Sequence, residues 1–188
     1  MAIEFCPQEV AWGDVATWAG FAATAFAAWG VFRIANRDRS ERELSRKEAE
    51  RARASSLLPE FNHATATISA MLEYQRVRAH GVDPKGEFAI QMRDGFMRLT
   101  ISGISAHADL SALSAEITGS VRLAATAIHR DQAYLAALPS ANEADLIALA
   151  DAIPVRAQAS RNAVLAAAEK LWEVVEGADK EPPWRGQV

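Results

Sequence analysis

One stretch of the chain is apolar without interruption: Val15 to Phe32, VATWAGFAATAFAAWGVF, 18 residues with no charge. Widening it to Val10–Ile34 admits only Asp14 and Arg33, near the two ends. A run of this length predicts a membrane-spanning helix. In hydrocarbon every N–H and C=O must be paired within the segment, and a helix does that alone. At 1.5 Å per residue the run reaches about 27 Å, close to the thickness of a bilayer's hydrocarbon. The predicted span is 10–36, preceded by a short tail, 1–9.

The flanks of the run carry aromatic and charged signals. Trp12 and Trp18 stand near one end, Trp29 and Phe32 near the other, which predicts anchors at the two interfaces. Residues 1–14 hold three acids and no Lys or Arg, whereas 33–53 hold eight bases, beginning with Arg33, Arg37, Arg39, Arg42 and Arg46. That bias predicts an amino terminus outside and a carboxy-terminal part in the cytoplasm, with those five arginines at lipid headgroups. The competing readings are a buried core helix and an interfacial helix; the latter needs a charged face, which the run lacks. A cleavable signal peptide would have a basic region before the run, and none exists. Small residues recur every fourth position, Ala16, Gly20, Thr24 and Ala28, beside a second row of Ala19, Ala23 and Ala27. Such rows let two helices approach closely in lipid, so they are the expected helix-packing face.

From 37 the pattern inverts. Twelve of the 18 residues in 37–54 are charged, seven basic and five acidic. Pro and Gly are absent and Leu44 is the one large apolar side chain, so a solvated helix without a heptad seam is expected over 37–58. Glu43 and Lys47 have the spacing of a helical ion pair. The interleaved acids argue against nucleic-acid binding.

Beyond 58 the apolar positions fall at spacings of three and four. Pro59 suits a first helical position, with Phe61, Ala64, Ile68, Met71 or Leu72, and Gln75 forming a stripe closed by His80-Gly81. Asp83 and Pro84 suit N-cap and N1 of a second helix, striped by Phe88, Met92, Phe96 and Leu99. A break at Ile101–Ser105 precedes the longest stripe, Leu110, Leu113, Ile117, Val121, Ala124, Ile128, Leu135 and Leu138. Ser140 with Glu143 resembles a capping box for a short helix to Ile153. Pro154 then opens the last helix, with Val164, Ala168, Leu171 and Val175 inward and Gly177 as its stop. No segment alternates like a strand. The expected fold is all-α, a single span continuing into a charged stalk and then an antiparallel bundle of about five helices over 59–177, with a flexible tail over 178–188.

Composition adjusts this picture in two ways. Alanine supplies 40 residues, against 42 for Leu, Ile, Val and Phe together. Close helix approach and modest burial per residue are therefore expected, which favours an oligomer or partner-binding module. A single cysteine, Cys6, excludes an internal disulfide, and the net charge of -4 is not that of a generic nucleic-acid binder.

Candidate chemistry is sparse. His63, His80, His107 and His129 form no pair at i,i+3 or i,i+4, so no two-His metal clamp is predicted. His107-Ala108-Asp109 resembles one short motif of metallo-β-lactamase-fold nucleases, but the HxHxDH motif and the strands of that family are absent. No GxSxG, P-loop, GxGxxG or HExxH occurs. Glu169, Glu173 and Glu176 read as a solvated face. No catalytic residue, cofactor or metal ligand is assigned. The expected function is a bacterial-type, single-pass scaffold or interaction protein of the inner (plasma) membrane, with its bundle at the cytoplasmic face. Its expected partners are membrane lipid and either further copies or another membrane protein; no nucleic acid and no small-molecule substrate is expected. Two alternatives are a membrane-permeabilising effector of phage-lysis type, oligomerising through the span, and a soluble assembly subunit whose first helix is buried.

Overall fold

A computed structural model describes residues 12–83, 85–100 and 110–185, and the side chains of these from Trp18 onward. The described residues are helical, with no strand among them. Four helices follow in order: α1 Trp12–Ala79, α2 Phe88–Met97, α3 Ala115–Ala137 and α4 Glu143–Glu176. The chain divides into two compact units, Met1–Arg46 and Lys47–Val188, and the boundary falls within α1.

The second unit is built on three long helical stretches. Arg51 of α1 donates to the Val175 carbonyl of α4 at 2.6 Å, and Arg78 meets Asp151 at 2.6 Å, so α1 and α4 run antiparallel. Lys170 meets Glu116 at 2.8 Å and Arg156 lies 3.8 Å from Asp131, which makes α3 antiparallel to α4 as well. α1 and α3 are therefore parallel. The short α2 sits toward the far end, where Gln132 of α3 donates to the Phe96 and Leu99 carbonyls, both at 2.9 Å. At the near end the Ser114 amide donates to Glu50 at 2.8 Å.

Two expected helix starts lie inside continuous helices: fusion at Pro154 reduces the five expected helices to three long stretches and a short one, and fusion at Pro59 joins the expected stalk to the first of them. Pro59 is within α1 and Pro154 within α4. An interior proline costs about 3 kcal/mol through a lost hydrogen bond and a ring clash. Burial on both sides outweighs it. Ala54, Leu57 and Leu58 before Pro59, and Phe61 and Ala64 after it, all enter one core. Leu149, Ala150 and Ile153 precede Pro154, and Ala157 follows it. Each large side chain contributes about 1.5–3 kcal/mol on full burial, so a single continuous helix wins.

Caps are displaced in the same sense. α4 is capped by Asn142, whose Oδ1 accepts from the Asp145 amide at 2.9 Å, while Asp145 accepts from the Ala141 amide at 3.1 Å. Ser140 instead accepts from Arg93 at 3.4 Å. α3 starts at Ala115, capped by the Ser114 hydroxyl. Leu110 and Leu113, expected inside that helix, precede it and are buried all the same. In α2, Ala89 is buried in place of Phe88, which is exposed. Gly86, at φ +72°, comes so close to α4 that a Cβ there would lie 2.7 Å from the Leu146 carbonyl oxygen, and the closeness suits a small residue at 89. The predicted break at Ile101–Ser105 lies outside the described residues.

The segment after Gly177, expected to be flexible, is anchored to the core by Trp184. Trp184 is 7% exposed and meets Trp172 edge-to-face at 5.5 Å. The Trp172 indole donates to the Lys180 carbonyl at 3.0 Å, and Lys180 and Arg185 reach Glu176 and Glu169.

Candidate functional site

The first unit presents a helix apolar on its whole circumference. Trp18, Phe21, Phe26, Trp29, Val31, Phe32 and Ile34 are all exposed, between 58% at Trp29 and 74% at Trp18. None of this apolar stretch is buried. By length and composition this is one helix able to cross a membrane, near the amino terminus. At about 100° per residue Trp18, Phe21, Trp29 and Phe32 share an arc of about 80°, and Gly20 and Thr24 lie outside it. A Cβ at Gly20 would meet nothing within 4 Å. The Thr24 hydroxyl donates to the Gly20 carbonyl at 2.8 Å, which satisfies within the helix a group that hydrocarbon would leave without a partner.

The expected helix-packing residues Gly20, Thr24 and Ala28 are thus exposed on one row. Ala16 and Trp12 lie in α1, but their side chains fall outside the described set. Of the expected anchors, Trp18, Trp29 and Phe32 are exposed, and the Arg33 guanidinium lies over the Trp29 ring at 5.3 Å. Arg37 pairs with Glu41 at 2.9 Å, and the Ser40 hydroxyl donates to the Asn36 carbonyl at 3.0 Å. Arg39, Arg42 and Arg46 are exposed, with no ion pair among the described residues.

The bundle holds polar groups that periodicity passes over. Asp131 sits between Ile128 and Leu135 on the inner stripe of α3 and is fully buried. Its Oδ1 accepts from Arg130 at 3.1 Å and lies 3.8 Å from Arg156, and its Oδ2 has no partner. Arg156 in turn lies 3.7 Å over the Tyr134 ring. A gap of seven between Ile128 and Leu135 was the available signal, since an inner position must fall within it.

Asp83 acts as the expected cap from a distance. Its carboxylate accepts from the Glu87 and Phe88 amides at 2.9 and 3.1 Å and from the Tyr74 hydroxyl at 2.6 Å. Burial opposes its ionisation, but the Tyr74 hydroxyl and the two amides prevail and hold its carboxyl below the usual range. Burial, then the Asp83 bond, pushes the Tyr74 phenol upward. Tyr74 thereby takes the inward place expected of Gln75, which is exposed. Hydrogen bonds from Lys170 and Lys180 hold Glu116 and Glu176 below the usual carboxyl range.

His63, His80 and His129 are exposed, and His107 with Asp109 lies outside the described set. No group of three or more His, Cys, Asp or Glu converges as a metal site among the described residues. The bundle surface carries an open groove of about 310 Å³ lined by Ser69, Leu72, Glu73, Gln75, Arg76, Gln158 and Arg161. No known protein family, curated protein or solved structure matches the chain.

Proposed function

We propose that the chain is a single-pass membrane protein whose amino terminus lies outside and whose helical bundle works at the cytoplasmic face of the plasma membrane. Its role in this reading is to recruit or scaffold a partner there, without catalysis of its own. One observation carries the reading: a helix segment apolar on every side and unburied, followed at once by an arginine-rich stretch. Seven large apolar side chains in water would be a strong liability, whereas in lipid they are in their own solvent. Trp18 and Trp29–Phe32 serve as interface anchors, and the arginines from Arg33 to Arg46 set the orientation.

The test is fractionation followed by topology. The chain is expected in the pellet after sodium carbonate extraction, with an amino-terminal tag labelled in intact cells and a carboxy-terminal tag shielded. Recovery in the supernatant would favour the soluble assembly subunit, and labelling of the carboxy-terminal tag would reverse the orientation.

The open row Gly20, Thr24 and Ala28 favours a second reading, in which spans pack together and permeabilise the membrane. That reading predicts growth arrest and loss of membrane potential on expression, both relieved by Gly20→Leu. Toxicity that survives Gly20→Leu excludes close span packing as its cause.

A further inference from the structure

We infer that the five arginines after the span divide: Arg33, Arg37 and Arg39 form a collar that binds the phosphates of anionic phospholipid headgroups, and Arg42 and Arg46 stand beyond it. The inference rests on the membrane-spanning reading and assigns the lipid chemistry of that site.

The division follows from helix continuity. α1 has no break between Trp12 and Ala79, so the helical rise applies across the end of the span at Phe32. At 1.5 Å per residue, Arg33, Arg37 and Arg39 stand about 1.5, 7.5 and 10.5 Å past Phe32. Arg42 and Arg46 stand about 15 and 21 Å past it. The polar layer of one leaflet is about 5–8 Å deep, half the difference between a 40–45 Å bilayer and its 30 Å core. The long stems of Arg37 and Arg39 bring their heads back into that layer. Arg42 and Arg46 start about 8–10 and 14–16 Å beyond that layer, and a stem of the same length leaves the Arg42 head short of the phosphates and the Arg46 head about a Debye length away, where attraction is largely screened.

The local contacts leave the three collar side chains available. The Arg33 guanidinium lies 5.3 Å from the Trp29 ring centre, a cation–π contact that occupies none of its N–H groups. Arg37 is held by Glu41 alone, in a pair whose side chains are 82% and 60% exposed, and such a pair yields readily to a better acceptor. Arg39 has no ion pair among the described residues and projects from the other side of the helix, about 160° from Arg37. No acid lies between Phe32 and Arg37, the first being Asp38. Forked guanidinium groups on two sides of one helix fit phosphate oxygens in the surrounding leaflet.

The test uses the full chain reconstituted in phosphatidylcholine bilayers, with trace spin-labelled phosphatidylglycerol or phosphatidylcholine as the probe of the lipid contacting the helix. The expected result is a preference for phosphatidylglycerol of at least fivefold, the worth of one arginine at the surface, lost at 1 M salt. R33Q/R37Q/R39Q brings the two lipids to near parity, and R42Q/R46Q leaves the preference within twofold of the parent. A preference that survives the triple variant, or that R42Q/R46Q abolishes, overturns the collar. Sodium carbonate extraction of the same samples separates the two ideas. Release of the chain overturns the span and the collar together, whereas retention without headgroup preference overturns the collar alone.

Discussion

Asp131 occupies a place in α3 that the surrounding stripe reserves for an apolar side chain, and two arginines alone make it tolerable. A buried charge with one oxygen unpartnered is costly, and removal of a compensating cation makes it costlier. Arg156→Ala is therefore expected to lower bundle stability by about 1–3 kcal/mol in urea unfolding, since it strips both the ion pair and the stack on Tyr134. Asp131→Leu removes charge and orphan oxygen together, and should match or exceed the parent in the same measurement. Asp83 carries the acid response. Its carboxyl lies below the ordinary value of 3.8 when folded, so as pH falls the unfolded chain takes up its proton first. The stabilisation is present above about pH 4 and lost as pH drops through the folded value. Thermal unfolding of Asp83→Asn should accordingly show a flatter acid limb than the parent below pH 4. Glu116 and Glu176 slope the same way but face solvent, where screening leaves them little weight.

Among the elements, the stripes were legible and their boundaries were not. Phe61, Ala64, Ile68 and Met71 follow the helical period strictly, as do Ile117, Val121, Ala124 and Ile128, and all are buried. Periodicity reports which face is inward, and that survives any change in where a helix begins. Pro59 and Pro154 misled because a proline's preference for the first turn is local, whereas the burial that carries a helix through it depends on neighbours distant in the chain. Pro59 also lacks the amide that would meet the carbonyl of exposed Ser55, four residues earlier. Pro59→Ala should thus keep the helix and raise stability by about 1–2 kcal/mol in thermal unfolding, the interior penalty less the gain in unfolded-chain entropy. A loss of helix content would show that the proline defines a boundary after all. In the candidate membrane segment, the absence of charge and the arginine cluster stood plainly in the sequence. Which arginines are engaged by Trp29 or Glu41 did not, because side-chain pairing depends on rotamers that spacing leaves open.

At the scale of the molecule, each of the two units has its own composition. Between Trp18 and Phe32 the first offers apolar side chains in all directions. The second buries its own in a core of mostly small and medium residues, whose largest fully buried members are Phe61 and Phe96. A core so rich in alanine gains little per residue, and every large side chain committed to it matters more. Trp184 is one of these, although it lies well past the last helix and in a segment whose prolines and charges suggest nothing of the kind. Anyone excising the bundle by its helices would cut after Gly177 and discard it. A fragment spanning 47–177 should consequently sediment as aggregate or unfold several degrees below one spanning 47–185, because the cut strips the cover from Trp172 and leaves a greasy notch at the end of α4.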